Sequence, residues 1–286
     1  MYTKTPILKY QEHERNFYFK MDCDQPSGSF KLRGMTKLIN SKVEEGVNRF
    51  ISSSGGNAGY SAAMVCKELG KEIKVIVPSS TPSKAIEMIA RAGAEVEVYG
   101  NSWPETDLYA RSQSEKEQAF YIHPFDHPLI WEGHKSIITE CLSEIEKPDV
   151  VVLSVGGGGL FCGVIQGIID NKWENTPVIC CETDGTASMA ACLKQKEWVE
   201  INKINSIAST LGATKIARQA FEYCMSNSVY SWVMSDKTAL QAKEKFHRQT
   251  GKTVEVACGA ALSVVYENAF PEFKNVLVIV CGGIGG

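Results

Sequence analysis

The sequence has 286 residues, of which 44% are hydrophobic and 22% charged, a composition typical of soluble globular proteins. Its formal net charge of −3 gives no electrostatic basis for binding nucleic acid or an anionic membrane. No apolar run reaches the length of a membrane span, and the N-terminus lacks the hydrophobic core of a signal peptide. The ten cysteines show no paired spacing such as Cys-x-x-Cys, so we expect reduced thiols and a cytoplasmic protein.

Strand-like and helix-like segments alternate along most of the chain. Strands are predicted at 16–22, 48–53, 72–78, 95–99, 119–123, 149–155, 178–182 and 276–281. Helices are predicted at 35–46, 57–69, 82–92, 103–116 and about 129–146. Because several strands are apolar on both faces, they belong in a parallel sheet covered by helices. The predicted class is α/β with an open, doubly wound sheet; a TIM barrel is the alternative, but the sequence has no eightfold rhythm.

The segment Pro26–Met35, PSGSFKLRGM, joins the first predicted strand to the first predicted helix. Its proline and first glycine break regular structure, and Ser27 and Ser29 are candidate N-caps. Lys31 then lies at or just inside the helix start, where the helix dipole and nearby Arg33 are expected to lower its pKa. A lysine amine with a lowered pKa can form a Schiff base with an aldehyde. An ordinary surface lysine is the alternative for this stretch alone.

Two glycine-containing turns follow predicted strands and open helices. Residues 53–59, SSGGNAG, present successive N–H groups that suit a carboxylate, with Asn57 able to donate or accept; an ordinary capped turn is the alternative. Gly156–Leu160 reads GGGGL, and four consecutive glycines are costly in entropy unless the backbone closely approaches a ligand. This turn has neither the Gly-Lys-Ser/Thr of a P-loop nor the G-x-G-x-x-G fingerprint, so it predicts a phosphate site without a nucleotide signature.

The last predicted strand ends at Cys281, which either hydrogen-bonds a ligand or is a small buried hydrophobe. The five histidines show no metal-binding spacing. Three features remain to be explained together: a nucleophilic lysine, a glycine-lined phosphate site and a second anion site for a carboxylate. Pyridoxal phosphate with an amino-acid substrate satisfies all three.

The sequence resembles the fold type II (β-family) pyridoxal-phosphate enzymes, which have a tryptophan synthase β-like fold, and among them the animal-type L-serine dehydratases/L-threonine deaminases. The resemblance extends over nearly the whole chain, through short motifs that occur in the same order. These are KTPI (4–7), KMD (20–22), QPSGSFKLRG (25–34), SSGGNAG (53–59), PFD (124–126), PLIWEGH (128–134), LSVGGGGL (153–160), ACGAAL (257–262) and VIVCGG (278–283). The resemblance implies a large cofactor-binding domain, residues 1–31 and 126–286, and a small domain, residues 32–125.

Residue roles follow from the resemblance by position. Lys31 would hold the cofactor as a Schiff base and act as the base at Cα. The other cofactor contacts would be Phe30, Asn57, Cys281 and the backbone of Gly156, Gly157, Gly158, Gly159 and Leu160. The substrate contacts would be Ser29, Ser54, Gly55, Asn57 and Phe125. A monovalent cation, K⁺ or Na⁺, would be held by Glu182, Thr186, Ser188, Leu211 and Ala213, although a buried ion pair would explain the glutamate equally well.

The implied activity is the conversion of L-serine and L-threonine to pyruvate or 2-oxobutanoate plus ammonia. The implied setting is amino-acid catabolism and gluconeogenesis, in a cytoplasmic homodimer. A serine racemase, a β-replacement enzyme, or a cofactor-binding homologue with little or no activity are the alternatives. Gly55 lies where relatives carry alanine or glycine, and the smaller residue is expected to loosen its loop. Relatives continue into a further helix after the last strand, so we expect less cover of the sheet near the cofactor.

Overall fold

The strands form two separate sheets in the computed structural model, which describes residues 1–285. Six strands are ordered β1-β2-β10-β7-β8-β9, and four are ordered β5-β4-β3-β6. β1 pairs antiparallel with β2, and the other strand pairs are parallel. The strands are β1 (Ile7–Glu12), β2 (Arg15–Lys20), β3 (Arg49–Ser52), β4 (Glu72–Val77), β5 (Glu95–Val98), β6 (Phe120–Ile122), β7 (Val150–Ser154), β8 (Val178–Thr183), β9 (Val229–Met234) and β10 (Asn275–Ile279).

Helices connect most of the strands. They are α1 (Lys31–Glu44), α2 (Asn57–Glu68), α3 (Ser83–Arg91), α4 (Trp103–Lys116), α5 (Pro128–Cys141), α6 (Gly159–Asp170), α7 (Ser188–Gln195), α8 (Arg218–Ser226), α9 (Asp236–Thr250) and α10 (Val256–Tyr266). The predicted helices and strands all form, with ends that differ by up to five residues. Six further elements were not expected from sequence patterns: β1, and α7, α8, β9, α9 and α10, which lie within residues 188–266.

The core is built on strands that are covered on both faces. β7 and β8 are buried at every residue, and α10 packs against both of them. This burial pattern confirms the predicted α/β class with an open, mostly parallel sheet. The TIM barrel alternative is wrong, because the strands form two open sheets instead of one closed ring of eight.

The two sheets follow the predicted division of the chain. The four strands of the second sheet lie between residues 49 and 122, inside the predicted small domain 32–125, and the other six lie outside it. α1 starts at the predicted boundary and packs against both α2 and α5, so it contacts both parts. The domain boundary itself stays a prediction, and Gly286 lies outside the described residues.

Two expectations from composition can be compared with the structure. Among residues 1–285, no helix combines the length and the apolar character needed to cross a bilayer. All ten cysteines are free, and all except the partly buried Cys23 are buried, as expected for reduced thiols.

Candidate active site

A cavity of about 450 Å³ lies at the carboxyl ends of strands from both sheets. The residues that follow β3, β6, β7 and β10 line it, because parallel strands deliver the residues after them to one edge of a sheet. The predicted site residues in its lining are Phe30, Lys31, Ser54, Gly55, Asn57, Phe125, Gly156, Gly157, Gly158, Gly159, Leu160, Leu211, Ala213 and Cys281. Residues as far apart in the sequence as Phe30 and Cys281 therefore share one pocket.

Lys31 is the first residue of α1, and its amine lies inside this cavity. Nζ donates a 2.8 Å hydrogen bond to the carbonyl oxygen of Pro124. Burial lowers the pKa of Lys31 to about 8, because removal from water disfavours the charged ammonium. An amine in this range is partly neutral near pH 7, as a nucleophile for an aldehyde must be.

Two details of the sequence-based account of this helix start are wrong. Arg33 does not face Lys31, because its fully buried guanidinium is bonded to Asp22 and Glu140. Burial, and not repulsion from Arg33, is therefore the main cause of the lowered lysine pKa. The N-cap is Phe30 without any side-chain hydrogen bond, whereas Ser27 Oγ donates to the carbonyl of Ser29. The chain enters the helix through a turn held by backbone bonds.

The four-glycine turn forms a concave wall that only backbone can line. Gly158 has a left-handed conformation, with φ of +88°, and is the N-cap of α6. A Cβ at Gly157 would overlap the ring of Phe125, and one at Gly159 would lie 2.6 Å from the Phe125 carbonyl oxygen. Side chains are thus excluded at successive positions, and the free N–H groups of the α6 N-terminus are left for an anion.

The turn after β3 lines the same cavity as the start of the lysine-bearing helix. Ser54, Gly55 and Asn57 line the pocket, and Gly56 N donates to Ser54 Oγ at 3.4 Å. A Cβ at Gly55 would lie 2.8 Å from the side chain of Thr81, so an alanine at this position needs Thr81 to move. Asn57 begins α2, which places the N-terminus of a second helix at the same cavity.

Glu255 is a pocket residue that the sequence analysis misses. Its Oε2 accepts hydrogen bonds from Asn57 Nδ2 at 3.0 Å and Thr210 Oγ1 at 2.7 Å, and its Oε1 accepts from Gly285 N at 2.9 Å. Asn57 Oδ1 in turn accepts from Ile284 N at 2.8 Å. The asparagine is held from both ends, and its Nδ2 keeps one free hydrogen for a ligand. Glu255 directly precedes α10 and has no local motif that would have revealed its role.

Phe30 and Cys281 are hydrogen-bonded neighbours in the cavity lining. Phe30 N donates to the carbonyl of Cys281 at 3.1 Å, and the Phe30 ring packs 4.8 Å from the buried ring of His134. Interaction with Cys258 and burial raise the pKa of the Cys281 thiol well above its ordinary value. Cys281 is therefore a neutral thiol at physiological pH, not an anion.

Four predicted site residues are not in the cavity lining. Ser29 is buried, and its backbone forms an isolated antiparallel β-bridge with Gly282. Its hydroxyl has no hydrogen-bond partner among residues 1–285. The other three are Glu182, Thr186 and Ser188 of the predicted cation site. Glu182 accepts from the N–H groups of Met189 and Ala190 at 2.8 Å each, so it caps the first turn of α7 and forms no ion pair within the described chain.

The pocket fits pyridoxal phosphate on chemical grounds. The cofactor needs a neutral amine for its aldehyde, an anion site for its phosphate, and a hydrogen-bonding group near its pyridine nitrogen. These three are supplied by Lys31, the turn Gly156–Gly159 and Cys281. The glycines at which a Cβ would clash belong to the turn predicted to bind the phosphate.

Comparison with known proteins gives the same class. Residues 1–282 match the family described as pyridoxal-phosphate dependent enzyme, and the chain belongs to that family. It is 41% identical to the L-serine dehydratase/L-threonine deaminase of Bos taurus over 93% of this chain and 85% of that protein. It is 36% identical to the catabolic L-serine/threonine dehydratase of Saccharomyces cerevisiae, over 99% of this chain and 88% of that protein.

Solved structures extend the likeness to the fold. The crystal structure of a fungal L-serine ammonia-lyase from Rhizomucor miehei superposes with a TM-score of 0.93 and 31% identity, covering 99% of this chain and 94% of that one. The protein therefore has the fold type II architecture of this enzyme family, as the sequence predicts.

Proposed function

We propose that the protein is a pyridoxal-phosphate-dependent ammonia-lyase that converts L-serine and L-threonine to pyruvate or 2-oxobutanoate and ammonia. The observation that carries the proposal is the position of the Lys31 amine, with a pKa near 8, in one cavity with the four-glycine turn and the turn 54–57. The relatives named as L-serine dehydratases support the choice of substrate.

Each wall of the cavity has a proposed task. The N–H groups of Gly156 to Leu160 hold the cofactor phosphate, and Phe30 packs on its ring. Ser54, Gly55 and Asn57 bind the substrate carboxylate at the α2 N-terminus, and Phe125 borders the substrate. Ser29, proposed as a further substrate contact, lies outside the cavity lining, and its hydroxyl has no partner among residues 1–285.

When bound, pyridoxal phosphate supplies an electron-withdrawing ring that makes the Cα–H bond of the substrate acidic. Lys31 receives that proton at Nζ, because its lowered pKa leaves the amine free to act as a base near neutral pH. The carbonyl oxygen of Pro124 orients the amine by accepting its hydrogen bond. The neutral thiol of Cys281 would not keep the pyridine nitrogen protonated, so the ring would withdraw electrons less strongly. A less stabilised carbanion favours prompt loss of the β-hydroxyl over racemisation or transamination.

The product formed from L-serine distinguishes this proposal from its alternatives. We expect equal amounts of pyruvate and ammonia from the cofactor-loaded protein. D-serine would instead indicate a racemase, and a thioether formed with added thiol would indicate a β-replacement enzyme. Cofactor absorbance without any ammonia would mean an inactive homologue and would contradict the proposal.

The proposal includes a monovalent cation near Glu182. Its support is a fully buried carboxylate whose pKa burial raises to about 7 and which forms no ion pair within residues 1–285. Thr186 and the carbonyls of Leu211 and Ala213 complete the proposed ligands. Activity in K⁺, in Na⁺ and in a bulky organic cation tests it, since equal rates in all three would contradict a bound ion.

The proposal also covers the setting of the enzyme. A cytoplasmic homodimer in amino-acid catabolism and gluconeogenesis is what the resemblance implies, with a large domain of residues 1–31 and 126–286 and a small domain of residues 32–125. Light scattering of the purified protein measures the oligomeric state directly, and a monomer would contradict this part.

A further inference from the structure

The carboxylate of Asp107 joins three elements behind the wall of the cavity. It lies on α4, and its Oδ1 accepts hydrogen bonds from Ser53 Oγ at 2.7 Å and from the Tyr121 hydroxyl. Its Oδ2 accepts from Arg111 Nε at 2.8 Å. Ser53 is fully buried and the Asp107 side chain is 13% exposed. One carboxylate therefore connects α4 with the end of β3 and the middle of β6.

Ser53 directly precedes the turn that is proposed to bind the substrate carboxylate. Ser54 to Asn57 line the cavity, and α2 begins at Asn57. The hydroxyl of Ser53 has no role in the pocket, because its partners are Asp107 and Tyr121. The hydrogen bond to Asp107 consequently fixes the point at which this turn leaves the sheet.

Tyr121 connects the same carboxylate to the segment 123–126, of which Pro124 and Phe125 line the cavity. It lies two residues before His123, whose Nδ1 accepts hydrogen bonds from the N–H groups of Phe125 at 3.2 Å and Asp126 at 2.8 Å. Burial lowers the pKa of His123 to about 4, so the ring is neutral and free to accept. The segment 123–126 held in this way includes the carbonyl of Pro124 that accepts from the Lys31 amine.

Asp107 is kept charged in this partly buried position. Burial alone would raise its pKa, but hydrogen bonds from Tyr121, Arg111 and Ser53 hold the pKa below its usual value. Arg111 also lies over the ring of Tyr121, 4.3 Å from its centroid. The carboxylate is thus a permanent acceptor for both hydroxyls at neutral pH.

We propose that Asp107 is a positioning residue that fixes the turn 54–57 relative to the segment 123–126, and thereby sets the affinity for the amino-acid carboxylate. This inference rests on the proposed function. The link through Ser53 controls substrate binding, whereas the link through Tyr121 controls how the Lys31 amine is held.

Three variants separate these links in the cofactor-loaded protein. Ser53→Ala removes the first, Tyr121→Phe removes the second, and Asp107→Ala removes both, because both hydroxyls donate to the same carboxylate oxygen, Oδ1. Glu222→Gln is the matched control, since Glu222 forms a similar i,i+4 pair with Arg218, at 3.0 Å, on the exposed face of α8. L-alanine, which has no β-leaving group, serves as an unreactive probe of carboxylate binding, monitored by the visible absorbance of the cofactor.

In Ser53→Ala and Asp107→Ala we expect the Kd for L-alanine and the KM for L-serine to rise about tenfold, as for the loss of a hydrogen bond to a charged group. The cofactor should stay bound. In Tyr121→Phe we expect kcat to fall more than KM rises. A lowered Tm with Kd, KM and kcat all within about twofold of wild type would mean a purely structural role and would overturn the inference.

The pyruvate assay separates this inference from the proposed function. If the wild-type protein binds L-alanine but makes no pyruvate from L-serine, the proposed reaction is wrong, while a weakened L-alanine Kd in the variants still supports the positioning role. A wild-type protein whose absorbance responds to neither amino acid would overturn both.

Discussion

The side-chain amide of Asn57 donates a 3.0 Å hydrogen bond to the carboxylate of Glu255, 198 residues further along the chain. Thr210 and Gly285 N donate to the same carboxylate, so all the donors at this point converge on one anion. Asn57 is proposed to contact the cofactor, and its orientation is fixed by a residue from the other end of the chain. The preorganisation of the site therefore depends on tertiary contacts and not on the turn 54–57 alone.

Glu255→Gln should weaken the site without removing it. A glutamine keeps one acceptor oxygen but turns an NH₂ group towards either Gly285 N or the Thr210 and Asn57 donors, which leaves a partly buried donor unpaired. The cost is about 1–3 kcal/mol, so we expect cofactor affinity to fall about tenfold or more, measured by fluorescence titration. Glu267→Gln, at the exposed end of α10, is the control. Unchanged cofactor affinity in Glu255→Gln would show that Asn57 does not need this partner.

Lys31→Ala should remove the visible absorbance of the bound cofactor and reduce turnover of L-serine by several orders of magnitude. The variant lacks both the amine that captures the aldehyde and the base at Cα. Absorbance spectra and pyruvate release measure the two effects separately. Lys37→Ala, at an exposed position on the same helix, should behave like wild type. A Lys31→Ala protein that keeps both signals would contradict the assignment.

Gly157→Ala tests the backbone-lined anion site. The added methyl group would overlap the Phe125 ring, so either the ring or the turn must shift. We expect the affinity for pyridoxal phosphate to drop about a hundredfold, with a smaller drop for pyridoxal, which lacks the phosphate. Gly46→Ala is the control, because Gly46 is outside the cavity lining and a Cβ there meets no atom within 4 Å; at its φ of +94° the variant adds backbone strain alone, and both ligand affinities should stay unchanged. Equal losses for the two ligands would argue against a phosphate site at this turn.

Buried neutral histidines predict loss of stability in mild acid. Burial lowers the pKa of His134 well below 6.5, and neither of its ring nitrogens has a partner within residues 1–285. A lowered folded-state pKa means that protonation favours the unfolded chain. The stability contributed by the neutral ring is complete above about pH 6.5 and is lost as the pH falls from there towards the folded-state value.

His134→Leu removes this titration and should flatten the pH dependence. Between pH 7.5 and pH 5.5, one such histidine costs the wild type about 1.4 kcal/mol, and the variant should lose that much less in the free energy of unfolding by urea. His13→Gln, at an exposed histidine on the β1–β2 turn, should keep the wild-type slope. The same slope in His134→Leu would contradict the prediction.

The local features of this protein were determined by its sequence. The apolar runs of β7 and β8 predict buried parallel strands, because only strands covered on both faces can lack polar alternation. The glycine run at 156–159 predicts an anion site for a similar reason, since its entropy cost has to be offset by a close backbone contact. Lys31, Asn57 and Cys281 are all recognisable within short segments of the chain.

Only the tertiary structure decided which of these segments meet and which way their side chains face. Arg33 and Lys31 are two residues apart on one helix, yet the pairing with Asp22 and Glu140 turns the arginine away, and burial sets the lysine pKa. Glu255 and Asp107 carry no motif, because their importance comes from partners far away in the sequence. A linear pattern encodes backbone preference and burial, but the hydrogen bonds that fix a charged group depend on chain segments that only folding brings together.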